Sequence, residues 1–296
     1  MTAVKEPYTQ EISRATPACF LFLIDQSLSM EERIAGSGPP KAEQLASAIN
    51  YWIGAMITKA TGDSGIKDWM DIAVIGYTTD DEGNPIIASA LGGGLAEPSR
   101  ESFVQISQLQ QYPLRVIQKT QQIVDSETGE IIEIPVDVTE WIDPICAKGT
   151  PMCFALHTAH SMLEKWIATG NHHDCFPPIV IHITDGETSD GGNPEDYAEV
   201  VRSLFTDHGN VLMFNCHLSM QAADKIVFPG NIEMMPDEFA RTLFRMSSVL
   251  PEPMMRLATT EGFKLEPNSK GFVFNADTVS LLQFLDMGTR VSKNLR

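Results

Sequence analysis

The sequence predicts an α/β protein: a doubly wound, mainly parallel six-stranded sheet with one antiparallel edge strand, helices on both faces, and an inserted β-hairpin. Three observations predict it. Short continuous apolar runs, as in strands covered on both faces, alternate with longer segments whose apolar residues recur at helical spacing. Gly, Pro, Asn and Asp clusters punctuate nearly every change from one pattern to the other. The composition, 43% hydrophobic and 20% charged, supports a large buried core.

Ala18 to Ile24 is the first apolar run and reads as a central strand. After a loop ending in Pro39-Pro40, the positions Leu45, Ala48, Ile49, Trp52, Ile53, Met56 and Ile57 mark a one-sided helix. Met70 to Thr78 and Ile86 to Leu91 read as two strands joined at Asp80-Asp-Glu-Gly-Asn84, which makes the second of them the antiparallel edge. Between Gly92 and Gly149 the alternation breaks. That stretch holds a short helix near Ser102 to Gln110, then a projecting hairpin of Arg115 to Val124 and Ile131 to Val138 around Asp125-Ser-Glu-Thr-Gly129.

Thr150-Pro151 opens the next helix, with Thr as cap and Pro at the first helical position. Its buried face runs from Met152 through Leu156, Ala159 and Leu163 to Trp166. Ile179 to Ile183 is a strand ending in Thr184-Asp185-Gly186, and Asn193-Pro194-Glu195-Asp196 starts a further helix. Val211 to Leu218 is a strand and Asp237 to Val249 a helix closed by Pro251 and Pro253. Gly271 to Phe274 is a short last strand before a C-terminal helix from Thr278. With no internal repeat or linker, residues 1-17 read as an N-terminal tail. Residues 18-296 then form one domain with an insertion at about 92-149.

The net charge of −18, from 21 basic and 39 acidic residues, argues against nucleic acid and against membrane surfaces as partners. Five cysteines, an odd number without a CxxC pair, point to a reduced, cytoplasmic protein. Met1 to Pro17 contains acids and lacks an apolar run, so neither a secretory signal nor a transmembrane segment is expected.

Chemistry concentrates after the first strand. Asp25-Gln-Ser27-Leu-Ser29 is a DxSxS pattern, a carboxylate followed by two hydroxyls that one turn can aim at a common point. Thr150 and Asp185 stand at the ends of other elements. Five oxygen donors without sulfur or imidazole describe a hard-cation site that suits Mg2+ or Mn2+, and three of the five are neutral. DxSxS alone also caps turns.

On these residues the sequence resembles the von Willebrand factor type A (VWA) family, a Rossmann-like fold. The family's metal-ion-dependent adhesion site (MIDAS) combines a DxSxS after the first strand, a Thr on a second loop and an Asp on a third. The matching positions are Asp25, Ser27, Ser29, Thr150 and Asp185, the last within Ile181-His-Ile-Thr-Asp-Gly186. The resemblance runs from about Ala18 to Arg290. It implies a protein-interaction module, not an enzyme, in which an Asp or Glu of another protein completes the coordination of the ion. Among relatives, the chain looks most like bacterial tellurium-resistance-associated VWA proteins. That likeness implies a scaffold in a stress or signalling complex with a protein kinase and a protein phosphatase. Recruitment of substrates to an AAA ATPase is a further arrangement found in the family.

Other readings stand beside this one. A metal-dependent phosphoester hydrolase would use the same strand ends, although a phosphotransferase nucleophile would read DxD where this chain has Ser27. The motifs GxSxG and GxxxxGK[ST], and a GxGxxG after the first strand, are absent. His157, His160, His172, His173 and Cys175 suggest zinc by composition, against the simpler reading of surface histidines and a core cysteine. Arg33 interrupts the acidic pair Glu31-Glu32, which weighs against an adjacent second metal. Glu187 and Asp190 either keep their loop soluble or tune the rim of the site.

Overall fold

Every residue of strand β1, Ala18–Asp25, is buried. The computed structural model describes residues 7–33, 38–63, 65–95, 103–124, 131–219, 224–275 and 283. Side chains of β1 alternate between two apolar layers, as the pleat requires. Phe20, Phe22 and Ile24 face one layer, while Cys19, Leu21 and Leu23 face the other.

In chain order, helix α1 spans Lys41–Ala60, followed by the small pair β2 (Thr61–Gly62) and β3 (Gly65–Ile66). Then come β4 (Met70–Thr79), β5 (Pro85–Ser89), β6 (Val104–Gln105) and α2 (Ile106–Gln111). The hairpin of β7 (Arg115–Val124) and β8 (Ile131–Glu140) precedes α3 (Met152–Ile167) and β9 (Ile179–Thr184). Helix α4 (Pro194–Ser203) leads through the small pair β10 (Phe205–Thr206) and β11 (Gly209–Asn210) to β12 (Leu212–His217). The remaining elements are β13 (Ile226–Val227), α5 (Glu238–Met246), α6 (Glu252–Thr260) and β14 (Phe272–Phe274).

The main sheet has the order β13-β14-β12-β9-β1-β4-β5, with β6 pairing the other end of β4. β14, β12, β9, β1 and β4 are parallel neighbours. β5, β6 and β13 pair antiparallel. All six strands expected from sequence are present, and the two-residue strands β6 and β13 extend the sheet at its margins. From β1 the chain winds first to β4 and only later to β9 on the opposite flank. The carboxyl ends of β1 and β9 therefore bound the crevice where strand order reverses, the usual ligand position in such sheets.

Helix α1 covers one face through Leu45, Ile49, Trp52 and Met56, joined there by Leu109 of α2 and Met254 of α6. The other face is covered by Leu156 and Leu163 of α3, Val201 of α4 and Leu243 of α5. Burying each such side chain contributes about 1.5–3 kcal/mol. The tip of the Arg115 hairpin, residues 125–130, and the predicted C-terminal helix, apart from Gln283, lie outside the described residues. The base of the hairpin is anchored by Trp141 and Ile142, both buried. Asn50 of α1 holds that base: its Oδ1 accepts from Trp141 N at 2.7 Å and Ile142 N at 3.1 Å, and its Nδ2 donates to Ile142 O at 3.1 Å.

Two helix boundaries differ from expectation. Pro251 and Pro253 open α6 instead of merely ending the helix before it, because a first-turn residue needs no intrahelical N–H partner. The side chain of Thr150 makes no capping bond to α3, which begins at Met152. An acceptor comes from far along the chain instead: Asp190 Oδ2 accepts from Phe154 N at 3.1 Å. Among the described residues no helix is long and apolar enough to cross a membrane.

Candidate metal centre

Asp25 ends β1 and is 1% exposed. Its Oδ1 accepts from Ser27 N at 2.8 Å, which curls the chain directly after the strand, and its Oδ2 accepts from the Thr184 hydroxyl at 2.6 Å. Ser27 Oγ and Ser29 Oγ lie 3.0 Å apart, so the two hydroxyls of the DxSxS turn converge. Gln26, between Asp25 and Ser27, folds back over β4, where Gly76 leaves room: a Cβ there would clash with Gln26 Oε1.

The loop that ends in Thr150 lies against this turn. Ala147 N donates to Gln26 O at 2.7 Å and Leu28 N to Lys148 O at 3.1 Å. Thr150 in turn is joined to the loop after β9, its N–H donating to Ser189 Oγ at 2.8 Å and its carbonyl accepting from Ser189 N at 2.9 Å. Asp185, on that third loop, is held by its backbone: His217 Nε2–H donates to its carbonyl at 2.5 Å. Gly186 follows with φ +94° and its N–H donates to Thr184 Oγ1 at 3.0 Å. Residues distant in sequence, Asp25, Ser27, Ser29, Thr150 and Asp185, thus belong to three loops tied directly together at the carboxyl ends of the central strands.

Electrostatics mark the same place. Burial, and then the nearby charge of Asp185, push the Asp25 carboxyl up to about 7 despite the Thr184 and Ser27 bonds that favour its ionised form. Asp185 Oδ1 is buried and has no hydrogen-bond partner among the described residues. Buried carboxylate oxygens are costly to leave bare, so two apposed carboxylates with one bare oxygen call for a cation. The donor chemistry fits a hard divalent ion held by two carboxylates and neutral hydroxyls. Among the described residues no three His, Cys, Asp or Glu side chains gather to hold a metal, so the softer zinc reading finds no cluster. His172 is stacked on Trp166 with ring centroids 4.1 Å apart, and Cys175 is buried. Burial also drives the Cys153 thiol up to about 12, far from a nucleophilic thiolate.

Two contributors escaped sequence reasoning. Thr184 positions Asp25, and its only sequence signal was adjacency to Asp185. Lys41, the first residue of α1, is 2% exposed and places Nζ 3.4 Å from Asp185 Oδ2 and 3.2 Å from Glu32 Oε2. Asp190, a rim candidate from sequence, instead serves α3 and accepts from the Thr188 hydroxyl at 2.7 Å. A buried relay crosses the sheet beside the centre. Tyr77 OH lies 2.8 Å from His182 Nε2, His182 Nδ1 lies 2.9 Å from Asn215 Oδ1, and Asn215 Nδ2 donates to Ser247 Oγ at 2.9 Å.

No family model matches the chain, and no curated protein matches it in sequence. Among solved structures it is similar to proximal thread matrix protein 1 from the mussel byssus, in a form with a zinc-occupied MIDAS motif. That likeness has 12% identity and a TM-score of 0.44, and covers 95% of this chain and 49% of the other. PilB minor pilin from Streptococcus sanguinis gives 10% identity and a TM-score of 0.46 over 95% and 63%. The vWF domain of the type V pili tip protein Mfa5 from Porphyromonas gingivalis gives 15% and 0.32 over 86% and 56%. The chain spans about half the length of the thread matrix protein. Likenesses of this degree concern the course of the chain alone.

Proposed function

We propose that the chain is a metal-dependent protein-interaction module rather than an enzyme. Asp25, Ser27, Ser29, Thr150 and Asp185 would hold Mg2+ or Mn2+. When bound, the ion supplies a hard electrophilic centre for a carboxylate oxygen from an Asp or Glu of another protein. The observation that carries this reading is the bare, buried Oδ1 of Asp185 beside the buried carboxylate of Asp25. The chain's own residues do the positioning: Thr184 fixes Asp25, Ser189 fixes Thr150, and His217 fixes the Asp185 backbone.

A protein partner is favoured over a small anion by what flanks the three loops. Leu28 follows the first hydroxyl at 57% exposed, Phe154 lies in the first turn of α3 at 51%, and Phe239 near Gly186 at 48%. Apolar side chains exposed together beside a polar centre are the mark of a protein-interaction surface. The resemblance to tellurium-resistance-associated proteins supports a finer proposal: a cytoplasmic scaffold in a bacterial stress or signalling complex with a protein kinase and phosphatase, or with an AAA ATPase. A reducing compartment suits the five cysteines, all of them free.

The test is affinity isolation from native cells with Mg2+ and with chelator, using the wild-type chain and Asp25→Ala. A partner recovered only by the wild type with metal supports the proposal. That partner's contacting carboxylate is then changed to the amide. Equal recovery with chelator, or by Asp25→Ala, overturns the metal bridge.

A further inference from the structure

A lysine at position 41 is out of place on two counts. Its side chain is almost completely buried, where an ammonium loses hydration, and it begins a helix, where the macrodipole disfavours positive charge. Three oxygen acceptors offset both costs. Lys41 Nζ donates to Ser29 O at 3.3 Å, Glu32 Oε2 at 3.2 Å and Asp185 Oδ2 at 3.4 Å, which uses all three of its N–H groups. The backbone adds a fourth tie, Lys41 N donating to Glu32 O at 2.8 Å. The ammonium therefore takes one oxygen of Asp185, while the other, Oδ1, is the bare one.

We infer that Lys41 is a built-in cation of the candidate metal centre that holds its affinity for divalent ions low. This rests on the metal-binding reading of the same residues. Without Lys41 the centre would present Asp25, Asp185 and Glu32 with no ammonium among them, and a divalent ion would meet a deeper negative potential. The competing effect is positioning, since Lys41 also steadies Asp185. The charge effect wins, because the Asp185 loop has other supports: His217 holds its carbonyl, Gly186 N bonds Thr184 Oγ1, and Leu218 N bonds Thr184 O at 2.9 Å. Removing Lys41 therefore deletes a repulsive charge more than it deletes geometry. A restrained affinity leaves the centre less occupied by an ion on its own, so that ion and partner carboxylate bind together.

The experiment titrates Mn2+ into metal-stripped full-length chain, read by the electron paramagnetic resonance of free Mn2+. Wild type, Lys41→Gln, Lys41→Met and Lys41→Arg are compared. Lys41→Gln keeps N–H donors without the charge and serves if the Met variant fails to fold. Both neutral variants are expected to bind Mn2+ about tenfold more tightly or better, given one positive charge removed within a few ångström of the site. Lys41→Arg should stay within about threefold of wild type, because the positive charge is kept. A purely structural role would instead weaken or preserve Mn2+ binding on neutralisation. If the wild type binds Mn2+ and Lys41→Gln binds it no more tightly, the inference about Lys41 is overturned while the metal site stands. If the wild type takes up no Mn2+, the metal reading itself falls and this inference with it.

Discussion

Thr150 and Ser189 exchange two hydrogen bonds, the Thr150 N–H donating to Ser189 Oγ at 2.8 Å and Ser189 N–H to the Thr150 carbonyl at 2.9 Å. A clasp of this kind sets where the Thr150 hydroxyl stands, although neither bond involves that hydroxyl. Ser189→Ala removes one bond and keeps the other, at a cost of about 1 kcal/mol. Mn2+ affinity should fall several-fold with the cooperative thermal transition retained. Calorimetric titration checks the first and differential scanning calorimetry the second.

Metal should stabilise the folded chain by mass action, since its candidate donors come from three loops that meet only on folding. At a metal concentration a hundred times Kd the gain is about 2.7 kcal/mol, worth a few degrees in melting temperature. Chelator should reverse it. Asp25→Ala and Asp185→Ala should melt at the same temperature with and without metal; a preserved metal-induced shift in both variants would refute the ligand assignment.

Burial lowers the His182 imidazole from 6.5 to about 4. The unfolded chain therefore binds a proton that the folded chain refuses between these values. Stability from this group is complete above pH 6.5, declines as the pH falls, and declines no further below about 4. Denaturant titrations across this range should show that slope. In His182→Gln the slope should be shallower, on a fold already weakened by the broken Tyr77 and Asn215 bonds.

Asn50→Ala would leave the N–H groups of Trp141 and Ile142 and the Ile142 carbonyl without their partner in the interior. The loss should be about 2–4 kcal/mol, read from chemical denaturation. Mn2+ affinity, governed by loops at the strand ends, should change far less.

The hairpin can be shortened without touching that anchor. Ile117 pairs with Val138, so replacing everything between them by a tight turn keeps Arg115, Glu140 and Trp141 in place. The shortened chain should keep its metal affinity and melt cooperatively while changing which partner it captures from lysate. Loss of folding would place the hairpin in the core.

Much of the architecture was legible in sequence because local signals agreed with global ones. The unbroken apolar run of β1 announced burial on both faces, and Asn193-Pro194 announced α4, where Asn193 Oδ1 indeed accepts from Glu195 N. Misreadings arose where the deciding contact is remote. Thr150 looked like a cap because the real acceptor, Asp190, follows 40 residues later. Lys41 went unnoticed in the sequence because Asp185, its partner, lies 144 residues away. Pro251 and Pro253 read as stops since proline both ends and begins helices, and only packing of Met254 distinguishes the two. His182 was hidden inside an apolar strand.

The margins of the sheet bear on how the protein behaves at high concentration. One edge ends in the two-residue strand β13, and the other is split between β6 and a five-residue β5 that starts with Pro85. Among the described residues neither offers a run of free amides long enough to template a neighbouring chain. The exposed ribbon of β7 and β8 is different, with ten residues in each strand. Pro135 interrupts its amide row, and Lys119, Glu133 and Asp137 put charge along it, devices that discourage stacking of one ribbon on another. Polymerisation of this acidic molecule is thus opposed at its sheet by brevity and at its ribbon by charge, and neutralising those three side chains should lower its solubility before it lowers its melting temperature.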